Sequence, residues 1–133
     1  MKVEDIYGIK VQLLGPDFKS ELRRLVDEQG IKAVIMGNRK TDPYSSDLRP
    51  IEKSSPGWPE FIRIFPIINW DYHTVWLFLK SFGLPYCRLY DSGYTSLGEK
   101  HNTQLNPSLL TEEGTYKAAC ELVDESMERL SRC

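Results

Sequence analysis

No stretch of this 133-residue sequence is apolar for the roughly 18 residues that span a bilayer. The longest candidates are broken by Pro66, Asn69 and Asp71. Cysteine is scarce: Cys87, Cys120 and Cys133 are odd in number and form no CxxC pair, and residues 1–10 carry no secretory pattern. A disulfide framework and a thiolate zinc site are therefore not expected, and a reducing compartment is the simplest setting: the cytoplasm, or equally the mitochondrial matrix. An excess of one charge is missing as well, with 17 basic against 19 acidic residues and a net charge of -2. No global field recruits nucleic acid or an anionic membrane, so any anion is bound locally. Repeats and low-complexity tracts are absent, and nothing resembles a Ser-His-Asp or Cys-His nucleophile. His73 and His101 have no partner at metal-ligand spacing.

What is present suffices for a core. Hydrophobic residues make up 41% and aromatic residues 11%, and the length predicts one domain over residues 1–133. Residues 9–14 alternate Ile9, Val11 and Leu13 with Lys10 and Gln12, the pattern of a half-buried strand. Asp17 is placed to cap a helix carrying Phe18, Leu22, Leu25 and Val26 up to Gly30. Residues 33–36, all apolar and stopped by Gly37, read as a strand covered on both faces. Together these predict a βαβ unit, a parallel sheet and an α/β fold. Two strands do not make a stable sheet, and the remaining candidates, 62–68 and 86–90, are short. Asp71 is placed to cap a helix with Tyr72, Val75, Trp76, Leu79 and Phe82, and Thr111 or Thr115 to start a last helix with Ala119, Leu122, Val123, Met127 and Leu130.

The chemistry concentrates in residues 37–70, directly after an apolar strand, where an open α/β sheet places its ligand. Asp42 is either a metal-binding carboxylate near a nucleotide phosphate or an ordinary turn residue before Pro43. Arg39 and Lys40 either neutralise phosphate or form a solvated edge. Trp58, between Gly57 and Pro59, has no periodic core position; it offers a face to a flat ring or plugs a loop. Arg63 lies between Ile62 and Ile64 and points to the opposite face from both, toward a phosphate or toward solvent. The loop 93–98, GYTSLG, either brings backbone N–H groups to a ligand or makes a tight hairpin. Arg129 and Arg132, three apart, share a helix face and suit a triphosphate or the helix dipole. Cys87 and Cys120 read as packing residues.

Four runs carry a family resemblance: GNRKTDPYSSDLRP at 37–50, PGWPEFIRIFPIINW at 56–70, LPYCRLYDSGYTSLGEKHNTQLNP at 84–107 and TYKAACELVDESMERLSR at 115–132. They resemble the C-terminal part of the eukaryotic FAD synthase (FMN adenylyltransferase) domain, in the PAPS reductase-like superfamily. The resemblance implies a Rossmann-like, open, mostly parallel sheet of the adenine nucleotide alpha hydrolase type. It also implies a nucleotidyltransferase in which ATP and FMN give FAD and pyrophosphate with Mg²⁺. By motif, Asp42 resembles the metal-binding carboxylate, Trp58 and Arg63 the flavin-site pair, and Gly37 and Arg39 the start of the nucleotide-side loop. Arg129 and Arg132 resemble the paired C-terminal arginines that act on the phosphates.

Two departures accompany the resemblance. Ser55 stands where the family usually has an acidic residue three positions before the tryptophan. A glycine-rich loop of the SGGKDS kind, expected upstream of Met1, is not in the sequence, so the resemblance implies an N-terminally truncated domain of low activity alone. The missing segment or a second domain is then an expected partner, and a flavin-binding module without catalysis is the alternative. A sulfonucleotide reductase relative is a third reading and needs a mobile redox cysteine, for which only Cys133 is placed.

Overall fold

Asp17 starts the first long helix by accepting the Ser20 N–H at 3.3 Å and the Ser20 hydroxyl at 2.6 Å. The helix ends at Gly30, whose left-handed backbone (φ 67°) lets its N–H reach the Leu25 carbonyl. These caps bound one of six elements in a computed structural model that describes residues 3–132. In chain order they are helix α1 (Val3–Tyr7), helix α2 (Phe18–Gln29), strand β1 (Ala33–Ile35), strand β2 (Ile51–Lys53), strand β3 (Ile62–Ile64) and helix α3 (Tyr72–Ser81). Short 3₁₀ turns follow α3, the longest at Glu125–Ser131. The chain divides into two compact units, Met1–Ile68 and Asn69–Cys133.

In the first unit the sheet has the order β1-β3-β2. β1 runs parallel to β3, with Val34 opposite Arg63, and β2 runs antiparallel to β3, with Glu52 opposite Arg63. The α/β class and a parallel pair are present, but one of the two pairings is antiparallel, so this sheet is mixed rather than mostly parallel. Leu22 of α2, with Phe61, Phe65 and Ile68 from β3 and its flanks, is buried. Sequestering each such side chain contributes roughly 2 kcal/mol.

Several expectations are corrected here. Residues 9–14 form no strand: Ile9, Val11 and Leu13 are 52%, 48% and 91% exposed. Alternation supplies a face but no ladder, and among the described residues the sheet pairs only β1, β3 and β2. The expected βαβ unit therefore does not form, and the parallel pair is β1 with β3, joined through β2. β1 is not covered on both faces either, because it is an edge strand with Ile35 73% exposed.

The second unit is built on α3, which Asp71 caps by accepting the Thr74 N–H at 2.6 Å. Tyr72 and Trp76 pack with Leu109, Ala119 and Leu122, and the Tyr72 hydroxyl donates to the Ala119 carbonyl at 2.8 Å. Burial holds that phenol well above its usual pKa. The helix stops before Phe82, which is 68% exposed. Residues 86–90 make no strand; Arg88–Ser92 is a 3₁₀ turn. No long helix follows Thr111 or Thr115: the chain turns at Ala119–Glu121 and at Glu125–Ser131, and Val123 is 90% exposed. Cys87 is exposed rather than a packing residue, whereas Cys120 packs against the core. Cys133 lies outside the described residues.

Candidate functional site

In the first unit, the chain between β2 and β3 folds back so that Trp58 faces the start of α2. Phe18 meets the indole edge-on, with ring centroids 6.1 Å apart, and the Lys19 ammonium lies 5.9 Å from the ring centre. Trp58 is 40% exposed and lines a cavity of about 190 Å³ shared with Phe18, Leu22, Val34, Phe61 and Arg63. That volume is below the roughly 300–1,000 Å³ of sites that enclose a whole drug-sized ligand.

Arg63 reaches this cavity from the centre of the sheet. Its Nη2 donates to Glu52 Oε1 at 3.0 Å across the β2–β3 pair, and its Nε donates to the Lys53 carbonyl at 3.1 Å. The guanidinium also stands 5.6 Å from the Phe65 ring centre. Three contacts orient its planar fork, and Glu52, not singled out by the sequence, offsets part of its charge. Ser55 lines the cavity as well, so a neutral hydroxyl stands where a carboxylate was expected.

The loop after β1 is braced from within. Asp42 Oδ2 accepts the Arg39 N–H at 2.8 Å, and Asp42 Oδ1 accepts Arg39 Nη2 at 3.2 Å. Arg39 is 8% exposed, so this basic residue is not a solvated edge; Lys40 is exposed, and its N–H donates to the Ile68 carbonyl at 2.8 Å. Ser45, 1% exposed, accepts Asn38 Nδ2 at 3.2 Å and closes the loop. Gly37 begins the loop with its Cα open. Tyr44 at its tip is fully exposed with a left-handed backbone (φ 60°), a conformation that costs on the order of 1 kcal/mol outside glycine. No three His, Cys, Asp or Glu side chains gather to hold a metal among the described residues. The carboxylate of Asp42 is the donor type that Mg²⁺ takes one or two of, completing its shell with water and phosphate.

In the second unit, Arg129 and Arg132 are both half-buried, the first within the Glu125–Ser131 turn and the second at its end. Arg132 Nη1 donates to the Leu97 carbonyl of the 93–98 loop. That loop is not a hairpin; it borders a second cavity of about 400 Å³ lined by Leu89, Tyr94, Leu97, Gly98, Lys100 and Thr103. His73 Nε2 lies 2.8 Å from the Leu122 carbonyl and its Nδ1 3.5 Å from Glu125.

Residues 19–105 match the phosphoadenosine phosphosulfate reductase domain. This chain belongs to that family. Within the reductase-domain family it is similar to a probable FAD synthase of Schizosaccharomyces pombe, 40% identical over 93% of this chain and 46% of that protein. Among solved structures it is similar to yeast FAD synthetase in complex with FAD, at a TM-score of 0.83 and 24% identity over 98% of this chain and 60% of that one. A Candida glabrata FMN adenylyltransferase in complex with FMN and the ATP analogue AMPCPP aligns at a TM-score of 0.77 and 26% identity, over 92% and 57%. The chain thus spans about half the length of these relatives. Phe18, Lys19 and Glu52 border or brace the candidate site from outside the four motif runs, and Asn38 and Ser45 do so from within the 37–50 run, where no role was read for them. Only Phe18 carried a sequence signal, as an apolar residue beside the helix cap.

Proposed function

We propose that this chain carries the flavin-binding and phosphate-neutralising residues of an FMN adenylyltransferase, which converts ATP and FMN to FAD and pyrophosphate. One observation carries the reading: an indole 40% open to solvent shares a cavity with an oriented guanidinium, at the motif positions of Trp58 and Arg63. The isoalloxazine ring enters beside Trp58 and Phe18, and Arg63 holds its polar edge or phosphate. An oxygen of the FMN phosphate attacks the α-phosphorus of ATP; the new P–O bond forms as the bond to pyrophosphate breaks, and the electron pair leaves with pyrophosphate. Arg129 and Arg132 offset the charge of the phosphates, and Gly37 and Arg39 border the nucleotide. Asp42 would hold Mg²⁺, which would supply Lewis acidity at the phosphoryl oxygens.

The free thiols of Cys87 and Cys120 support a reducing compartment, and we place the protein in the cytoplasm. No described helix is long and apolar enough to cross a membrane. Because the relatives are about twice as long, a further segment or domain is the natural partner, and flavin binding is the first property to measure. Titration calorimetry with FMN should show binding that Trp58→Ala and Arg63→Ala each weaken about tenfold or more, the size of one lost stacking or charged contact. Binding unchanged in both variants removes the proposal. FMN binding with no pyrophosphate release, in a mixture of ATP, Mg²⁺ and the remaining segment of a relative, selects a non-catalytic flavin module instead.

A further inference from the structure

The GYTSLG loop is a motif that the proposed reaction leaves without a task, and its centre is the most deeply buried polar cluster among the described residues. Thr95, Asn106 and Ser131 are 2%, 0% and 0% exposed. The Thr95 hydroxyl donates to the Glu128 carbonyl at 2.6 Å and accepts Asn106 Nδ2 at 2.6 Å. Asn106 Nδ2 also donates to the Met127 carbonyl at 2.8 Å. The Thr95 N–H donates to Ser131 Oγ at 3.0 Å, and the two hydroxyl oxygens lie 2.9 Å apart.

These contacts settle the proton of each hydroxyl. A carbonyl cannot donate, so the single Thr95 hydroxyl proton is committed to Glu128; the bond between the hydroxyls is then donated by Ser131. Both hydroxyl protons in the knot are committed in one arrangement, and a bonded buried network holds its geometry tightly. The carbonyls it grips, at Met127 and Glu128, and the Ser131 hydroxyl belong to the turn that carries Arg129. Arg132 is gripped next to it: its guanidinium lies over Gly98 and bonds to the Leu97 carbonyl. A Cβ at Gly98 would stand 2.6 Å from Arg132 Cζ and 2.7 Å from Asn102 Oδ1, so a side chain there would displace the Arg132 guanidinium.

We infer that Thr95, Asn106 and Ser131 are positioning residues, which fix Arg129 and Arg132 in the spacing that receives a pyrophosphate group. This rests on the reading of the two arginines as phosphate partners. The knot touches no ligand itself; it acts through the backbone on either side of the arginines.

The test titrates inorganic pyrophosphate into this chain and, in parallel, riboflavin, which lacks a phosphate. Arg129→Ala with Arg132→Ala should remove pyrophosphate binding. Thr95→Val, which keeps the shape and deletes the hydroxyl with its three hydrogen bonds, should weaken it about fivefold or more, and Thr95→Ser should restore it. The Nε–Hε resonances of Arg129 and Arg132 should shift in Thr95→Val and not in Thr95→Ser, with riboflavin affinity constant throughout. If Thr95→Val does not fold, Ser131→Ala decides by the same readouts. Pyrophosphate binding lost in the arginine variant but kept in Thr95→Val, with unmoved arginine resonances, overturns the positioning role and leaves the phosphate reading standing. Equal weakening of riboflavin binding marks general loosening and also overturns it. Pyrophosphate binding that is absent in the wild type, or indifferent to both arginines, removes the phosphate reading and this inference with it.

Discussion

Asp42 accepts both the backbone N–H and the guanidinium of Arg39, with side chains only 18% and 10% exposed. Such a pair is structural whatever ion or phosphate it later meets, because removing one member of a largely buried pair strips contacts from the other. Arg39→Ala should therefore cost about 3 kcal/mol of stability and lower the melting temperature by about 10 °C, while Lys40→Ala, at an exposed position, should melt as wild type. Thermal denaturation followed by circular dichroism reads both. The same residues explain why two readings of Asp42 were open in the sequence. A carboxylate three positions from an arginine makes this turn in many proteins, and only the surrounding loop tells whether its lone pairs remain available.

At the scale of elements, α2 is held at its start by a carboxylate. Hydrogen bonds from the Ser20 hydroxyl and N–H lower the Asp17 pKa from its ordinary 3.8. A carboxylate depressed on folding contributes stability that is present above its unfolded value and lost as pH falls through the folded one. Helicity should thus decline below about pH 4, and Asp17→Asn should flatten that part of the profile, as followed by far-ultraviolet circular dichroism. Both long helices were legible because their signals are local: Asp17 and Gly30 bracket α2, and Asp71 begins α3. The C-terminal helix was misread although Ala119, Leu122 and Met127 do face the core. There the Met127 and Glu128 carbonyls, which an α-helix would use four residues on, accept instead from Asn106 and Thr95. Those donors come from more than 20 positions away, and no window of sequence contains both ends of such a bond.

At the scale of the whole molecule, motif residues proved easier to locate than their supports. Trp58, Arg63, Arg129 and Arg132 stood out by type and order, while Glu52 and the Thr95–Asn106–Ser131 knot depend on chain segments meeting in space. The strand-like alternation of residues 9–14 misled for the same reason, since a strand is completed only by its neighbour. One consequence concerns handling of the protein in solution. Ile35, Ile64 and Ile51 stand side by side across β1, β3 and β2, and the outer two are 73% and 64% open to water. A greasy row ending on a bare rim invites other molecules to stack or zip onto it. Concentrated samples should therefore cloud on warming, and the double change Ile35→Lys with Ile51→Lys should raise the concentration at which light scattering begins, leaving FMN affinity untouched.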